Sequence, residues 1–252
     1  MAVMKRFYKV AGTVMLGDGF GVVLDGRPVK TPAKSDLVLP TQSLACAICE
    51  EWQAQGGAID PGTMPTMQLA TTAIDRTAKN RQLVVDTLVG YASTDLLCYR
   101  AEGPDELKDR QHQVWQPILD WVGSYFDAPL MVTSGIMPMV QPKSSIDVFN
   151  KTLSQRDDFF LTGLSVIAAS CGSLALALAL AEDEVDVEPC IVASQLDDIF
   201  QIEKWGKDED ITARLAGLAH EIRVAARFLG LLETQRVLGS EGKLYERYYP
   251  ET

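Results

Sequence analysis

LTGLSVIAASCGSLALALALA, residues 161–181, is the stretch on which the fold turns. It is long enough to span a bilayer as one helix. Its flanks argue otherwise. Asp157 and Asp158 precede it, Glu182, Asp183 and Glu184 follow it, and Arg156 is the one nearby cation. Such ends carry neither a positive-inside bias nor an aromatic belt. Gly172 followed by Ser173 reads as the stop of one helix and the N-cap of the next. The stretch therefore predicts two short helices buried in a protein core, with no insertion into a membrane.

Upstream of this core the pattern is β. RFYKVAGTVML and FGVVL, within the first 24 residues, are rich in β-branched and aromatic side chains. Asp25 and Gly26 form the dipeptide favoured in a two-residue hairpin turn, where both positions need positive φ. DLVLP adds a short strand, and Thr41 or Ser43 caps a helix carrying Leu44, Ile48 and Trp52 on one stripe. Trp52 is expected in the core, and the pair Gly56-Gly57 to end the helix. Residues 66–92 read as helical with a stripe of Leu69, Ala73, Leu83, Leu88 and Tyr91. TDLLCYR (94–100) reads as a short strand.

From Pro104 onward the pattern is nearly all helical. Leu107, Val114, Ile118, Trp121 and Tyr125 form a stripe, with Pro117 kinking or restarting the helix. LMVTSG (130–135) reads as one extended piece, and Pro189 as the first turn of a helix running into residues 200–205. The expected fold is α+β: a small β-rich N-terminal domain with helices over residues 1–92, then a larger all-helical C-terminal domain over 93–252.

Composition narrows the function. The 252 residues carry 34 acids against 23 bases, a formal charge of −11. Nucleic-acid binding needs a basic face, and no long basic run appears in the sequence, so that class is disfavoured. MAVMKRFYKVAG has no signal-peptide apolar core and no Arg/Ser-rich transit pattern, so a cytoplasmic protein is expected. The five cysteines are odd in number and scattered, unlike a disulfide framework. Cys46 and Cys49 have redox-pair spacing, but they sit inside a helix beside Glu50 and Glu51, whose charge disfavours a thiolate. LGDGFG (16–21) lacks the dinucleotide spacing, and no Walker lysine follows. His112 and His220 stand alone, without metal-ligand or triad spacing. No catalytic residue, cofactor or metal is expected.

One cluster resists these readings. FQIEKWGKDED (200–210) gathers Glu203, Trp205 and three further acids. A helix end at Gly206, with Asp208 capping the next helix, accounts for Asp208, Glu209 and Asp210. Glu203 remains, on a helix end whose dipole disfavours acids. Asp197 and Asp198 extend the acidic series upstream. An aromatic beside acids suits a protein-binding patch, so Glu203, Trp205, Asp197 and Asp198 are candidate partner contacts, with Trp205 also partly packing. A hydrolase using carboxylates alone, or an adaptor with some other partner, also remains open from these residues.

RFYKVA, DGRPVKTPAK, EEWQAQ, YASTDLLCYR, WQPILDW, SLALALAL and QIEKWG occur in this order. Together they resemble the ATP synthase assembly chaperones of the Atp-twelve family, from about Arg6 to Leu232. The resemblance implies a β-rich domain before a helical one, and no catalysis or cofactor. It implies binding to the free α subunit of the ATP synthase catalytic sector, covering the surface that α later presents to β and so shielding it from aggregation. It places the family's functional acid before Trp-Gly on Glu203. The missing transit pattern fits a bacterial member, and a monomer is expected.

Overall fold

The computed structural model describes residues 4–233. It mixes helix and strand, and its contacts group it into two compact units. The first takes the chain up to Arg81, residues 157–163 and the helix end from Arg227 on. The second takes the stretches between, residues 82–156 and 164–226. The first cut thus falls at Arg81 and not at residue 92, and two later segments rejoin the N-terminal unit.

In the first unit β1 (Met4–Lys5) pairs antiparallel with β5 (Ala58–Ile59). Strands β2 (Ala11–Leu16), β3 (Gly19–Leu24) and β4 (Arg27–Pro28) form an antiparallel meander in that order. Asp25 and Gly26 make the β3–β4 turn with φ of 46° and 80°, so both adopt the left-handed geometry that their dipeptide favours. The Asp25 carboxylate also accepts the backbone N–H groups of Lys9 and Val10. Helix α1 (Gln42–Gln53) starts at Thr41, whose hydroxyl accepts the N–H of Leu44. It ends three residues before Gly56. Leu44 and Ile48 are fully buried with Val22, Leu24, Leu37 and Leu39. Trp52 packs edge-on against Tyr8 but is only partly buried. The 66–92 segment is interrupted: α2 (Pro65–Thr72) runs into a single π turn at Ala73–Thr77, and α3 (Arg81–Ser93) starts afresh. Leu83, expected on the apolar stripe, is exposed.

The second unit is mainly helical. The 94–100 stretch is a 3-10 turn followed by β6 (Tyr99–Arg100), which pairs in parallel with β7 (Thr133–Ser134). The unit is therefore not all helix. Helix α4 (Asp105–Phe126) passes through Pro117 without a break. It buries Gln111, Trp115, Ile118, Leu119 and Val122, a face that shares Ile118 with the expected stripe but is rotated from it, and leaves Tyr125 exposed. Helix α5 (Lys143–Ser154) follows.

The decisive stretch folds as two helices. Helix α6 (Asp158–Cys171) stops at Gly172, φ 66°, and Ser173 caps α7 (Leu174–Ala181) by accepting the N–H of Leu176. All eight residues of α7 are buried, so its four leucines each contribute roughly 1.5–3 kcal/mol. Among the described residues no helix is long and apolar enough to cross a membrane. Helix α8 (Val187–Ser194) contains Pro189 in its first turn but breaks at Gln195, so residues 200–205 belong to a separate helix, α9 (Leu196–Trp205). Helix α10 (Glu209–Leu232) completes the described fold.

Candidate functional site

Helix α4 packs against α7 and α9, and α8 against α7 and α9. Trp115 of α4 is buried, and its indole Nε1 donates to the carbonyl of Ala193 in α8 at 2.8 Å. This contact fixes α4 and α8 side by side. Between them and α9 lies a groove of about 630 Å³, a volume typical of ligand pockets. Val114, Pro117, Val185, Val192, Leu196 and Ile199 supply apolar lining.

The polar rim is uneven. Asp183, Glu184, Asp186, Glu188 and Glu203 face a single cation among the lining residues, Arg110. Glu203 Oε2 lies 2.8 Å from Arg110 Nη1. Glu106 Oε2 accepts from Lys204 Nζ at 2.7 Å, which holds the Glu106 carboxyl below its ordinary range. Both Arg110 and Lys204 stand over the Phe200 ring. Glu203 is therefore not stranded on an unfavourable helix end, because a guanidinium from α4 compensates it. Glu188 is held by Arg223 through two hydrogen bonds. Glu184 has no such cation among the described residues, and partial burial pushes its carboxyl up.

The remaining candidates separate. Asp197 Oδ1 accepts from Gln111 Nε2 at 2.7 Å, and burial raises its carboxyl above the ordinary range despite that bond. Asp198 pairs with Arg214 at 2.9 Å. Both acids are engaged within the chain and hold α9 against its neighbours. Trp205 does not pack as expected: it is 78% exposed at the end of α9. Asp208 caps α10 by accepting the N–H of Ile211 at 3.0 Å. The groove itself was missed from sequence, although Val185, Pro189 and Val192 form an apolar series beside four acids.

Known proteins match this chain along most of its length. The family model described as ATP12 chaperone protein covers residues 5–123. Protein atp12, mitochondrial, of Schizosaccharomyces pombe is 23% identical over 86% of this chain and 76% of that protein. Its namesake in Saccharomyces cerevisiae is 24% identical over 74% and 71%. The crystal structure of Atp12 from Paracoccus denitrificans superposes with a TM-score of 0.89 at 37% identity, covering 91% of this chain and 99% of that one. With that identity over nearly the full length of both chains, this protein belongs to the ATP12 family, whose members are chaperones and not enzymes.

Proposed function

We propose that this ATP synthase assembly chaperone binds the free α subunit of the catalytic sector and shields the surface that α later presents to β. The observation that carries the reading is the groove of α4, α8 and α9, apolar inside and acidic at its edge, with Glu203 on its lining. A chaperone dedicated to one client needs an apolar platform with polar discrimination around it. Glu203 and the exposed Trp205 meet the client directly. Asp197 and Asp198 act through position, since Gln111 and Arg214 already hold them.

In this reading the β-rich N-terminal domain and the helical C-terminal domain are distinct modules, and the groove belongs to the helical one. The protein works as a monomer in a bacterial cytoplasm, without cofactor, nucleic acid or membrane insertion. The test is light scattering of purified α subunit diluted from denaturant, with and without this protein. Scattering should fall without added ATP. Unchanged scattering at a severalfold excess of the chaperone overturns the reading.

A further inference from the structure

The groove of α4, α8 and α9 has a charge pattern that selects its occupant. Its lining carries five carboxylates against the one guanidinium of Arg110, which Glu203 already engages; from outside the lining Arg223 holds Glu188. Glu184 is partly buried there with no cation paired to it among the described residues, and burial pushes its carboxyl up. Asp186, at the N-cap of α8, makes no side-chain capping bond. Pro117 adds a backbone acceptor. It has no N–H to give to the carbonyl four residues back, that of Gln113, and both residues line the groove. The lining is thus rich in acceptors and poor in donors. A bound segment gains most by bringing cations and N–H donors to the edge and apolar side chains to the floor.

The walls are faces of α4, α8 and α9 closed at one end by the connection of residues 183–186, and none of the described strands contributes a lining residue. That favours a helix laid into a groove over a strand added to a sheet. Val192, 41% exposed on α8, offers the floor an open apolar contact. A second copy of this chain is a poor occupant, because a net charge of −11 would bring acid against acid.

We infer that the groove seats a basic amphipathic helix of the client protein, apolar stripe on Val114, Val192 and Ile199, with Lys or Arg side chains at Glu184 and Asp186. The inference rests on the client-binding reading above and names the chemistry of the segment held.

The probe is a labelled synthetic helical peptide of about five turns, with leucines at i, i+3, i+4 and i+7 and lysines beside them. A second peptide carries glutamate for each lysine, and a third scrambles the first. Anisotropy is read with the full-length protein at low and high salt. The lysine peptide should bind at least about tenfold tighter than either comparison peptide, and salt should weaken it. Val192→Glu, at an exposed site, and the double variant Glu184→Gln with Asp186→Asn should each weaken it about fivefold or more at unchanged melting temperature. Ile136→Ser, on a separate exposed apolar loop, should leave binding as it was. Equal binding of all three peptides, no binding at all, indifference to Val192→Glu, or loss with Ile136→Ser overturns the inference. The α-subunit scattering assay separates the two ideas. Protection of α by a protein that ignores the lysine peptide removes this occupant and keeps the function; absence of protection removes the function itself.

Discussion

The Arg110 guanidinium and the Glu203 carboxylate meet at 2.8 Å across 93 positions of chain, joining α4 to α9 at the groove. Both side chains remain partly exposed, 33% and 47%. Solvent screens such a pair, so it adds under about 1 kcal/mol to stability. Glu203→Gln should therefore melt within a few degrees of the parent. Its effect on client binding should be larger, because the charge at the rim steers encounter and Arg110 is released to repel a basic segment. Binding of α subunit should fall severalfold, chiefly through slower association, and the parent's salt dependence should flatten. Asp208→Asn, which keeps its capping of Ile211, serves as the control and should bind as the parent does. Normal association by Glu203→Gln would remove this residue from the client surface.

Two tryptophans that look alike in sequence should respond differently to the same change. Trp115 is fully buried and donates to Ala193, whereas Trp52 is partly buried and its Nε1 has no hydrogen-bond partner among the described residues. Trp115→Phe removes a donor and leaves a buried carbonyl unpaired, at a cost of at least about 2 kcal/mol. Trp52→Phe removes no hydrogen bond and should cost under about 1.5 kcal/mol. Trp52→Ala should cost less than the roughly 3–5 kcal/mol of a fully buried tryptophan. Urea denaturation of the three variants checks the order, and a larger loss for Trp52→Phe than for Trp115→Phe contradicts it.

Thiol chemistry offers an independent check on packing. Cys98, Cys171 and Cys190 are buried, while Cys46 and Cys49 are partly exposed. Burial, followed by the nearby Asp95, pushes the Cys98 thiol up to about 12, and Cys190 is raised well above its usual range by its thiol–thiol hydrogen bond with the free Cys171 and by burial. Thiolate is the reactive form. At about pH 8 an aromatic disulfide reagent should modify only Cys46 and Cys49 in the native protein, the latter slowly because burial raises it too. All five should react in denaturant. Reductant should leave folding and client binding unchanged. Rapid native labelling of Cys98 would show that this part of the fold opens.

What sequence revealed follows the range of each interaction. The Asp25-Gly26 turn, the Gly172-Ser173 break and the Thr41 and Asp208 caps are set within three or four residues, so composition exposes them. The face of α4 was misread because Trp121 and Tyr125 drew the stripe toward large aromatics, whereas contact with α7 and α8 selects Trp115, Leu119 and Val122. The Gln195 break between α8 and α9 carries no Gly or Pro; there Gln195 instead sends its side-chain amide to the carbonyl of Leu215, twenty residues away. Glu203 was singled out for its position on a helix end, but its partner Arg110 lies on another helix, and no local pattern connects them. The groove is a product of three such helices, so its outline depends on packing that periodicity does not encode.

Asp95 shows the same dependence on distant chain, and it yields a pH test. Its carboxylate is wholly buried, accepting the N–H of Leu97 through Oδ1 at 3.0 Å and that of Ala175 at the start of α7 through Oδ2 at 2.9 Å. Burial dominates those favourable bonds and pushes the carboxyl up from 3.8 to about 6. The folded state therefore holds this proton more tightly than the unfolded chain. Between about pH 4 and pH 6 the folded protein binds more protons, so stability from this group falls as pH rises. Its contribution is complete below the unfolded value and gone above the folded one, a change of about 3 kcal/mol. Other carboxylates, such as Asp75 and Glu106, are lowered and slope the other way, so the parent's profile alone is not diagnostic. Asp95→Asn isolates the effect of this carboxyl, since asparagine keeps the shape and one acceptor but cannot titrate. It carries a constant penalty from its amide facing the Ala175 N–H. Relative to that variant, the parent should lose up to about 3 kcal/mol of urea-measured stability from pH 4 to pH 7. A stability difference that stays level across this range would mean that Asp95 is ionised throughout, held by its backbone donors more strongly than burial opposes it.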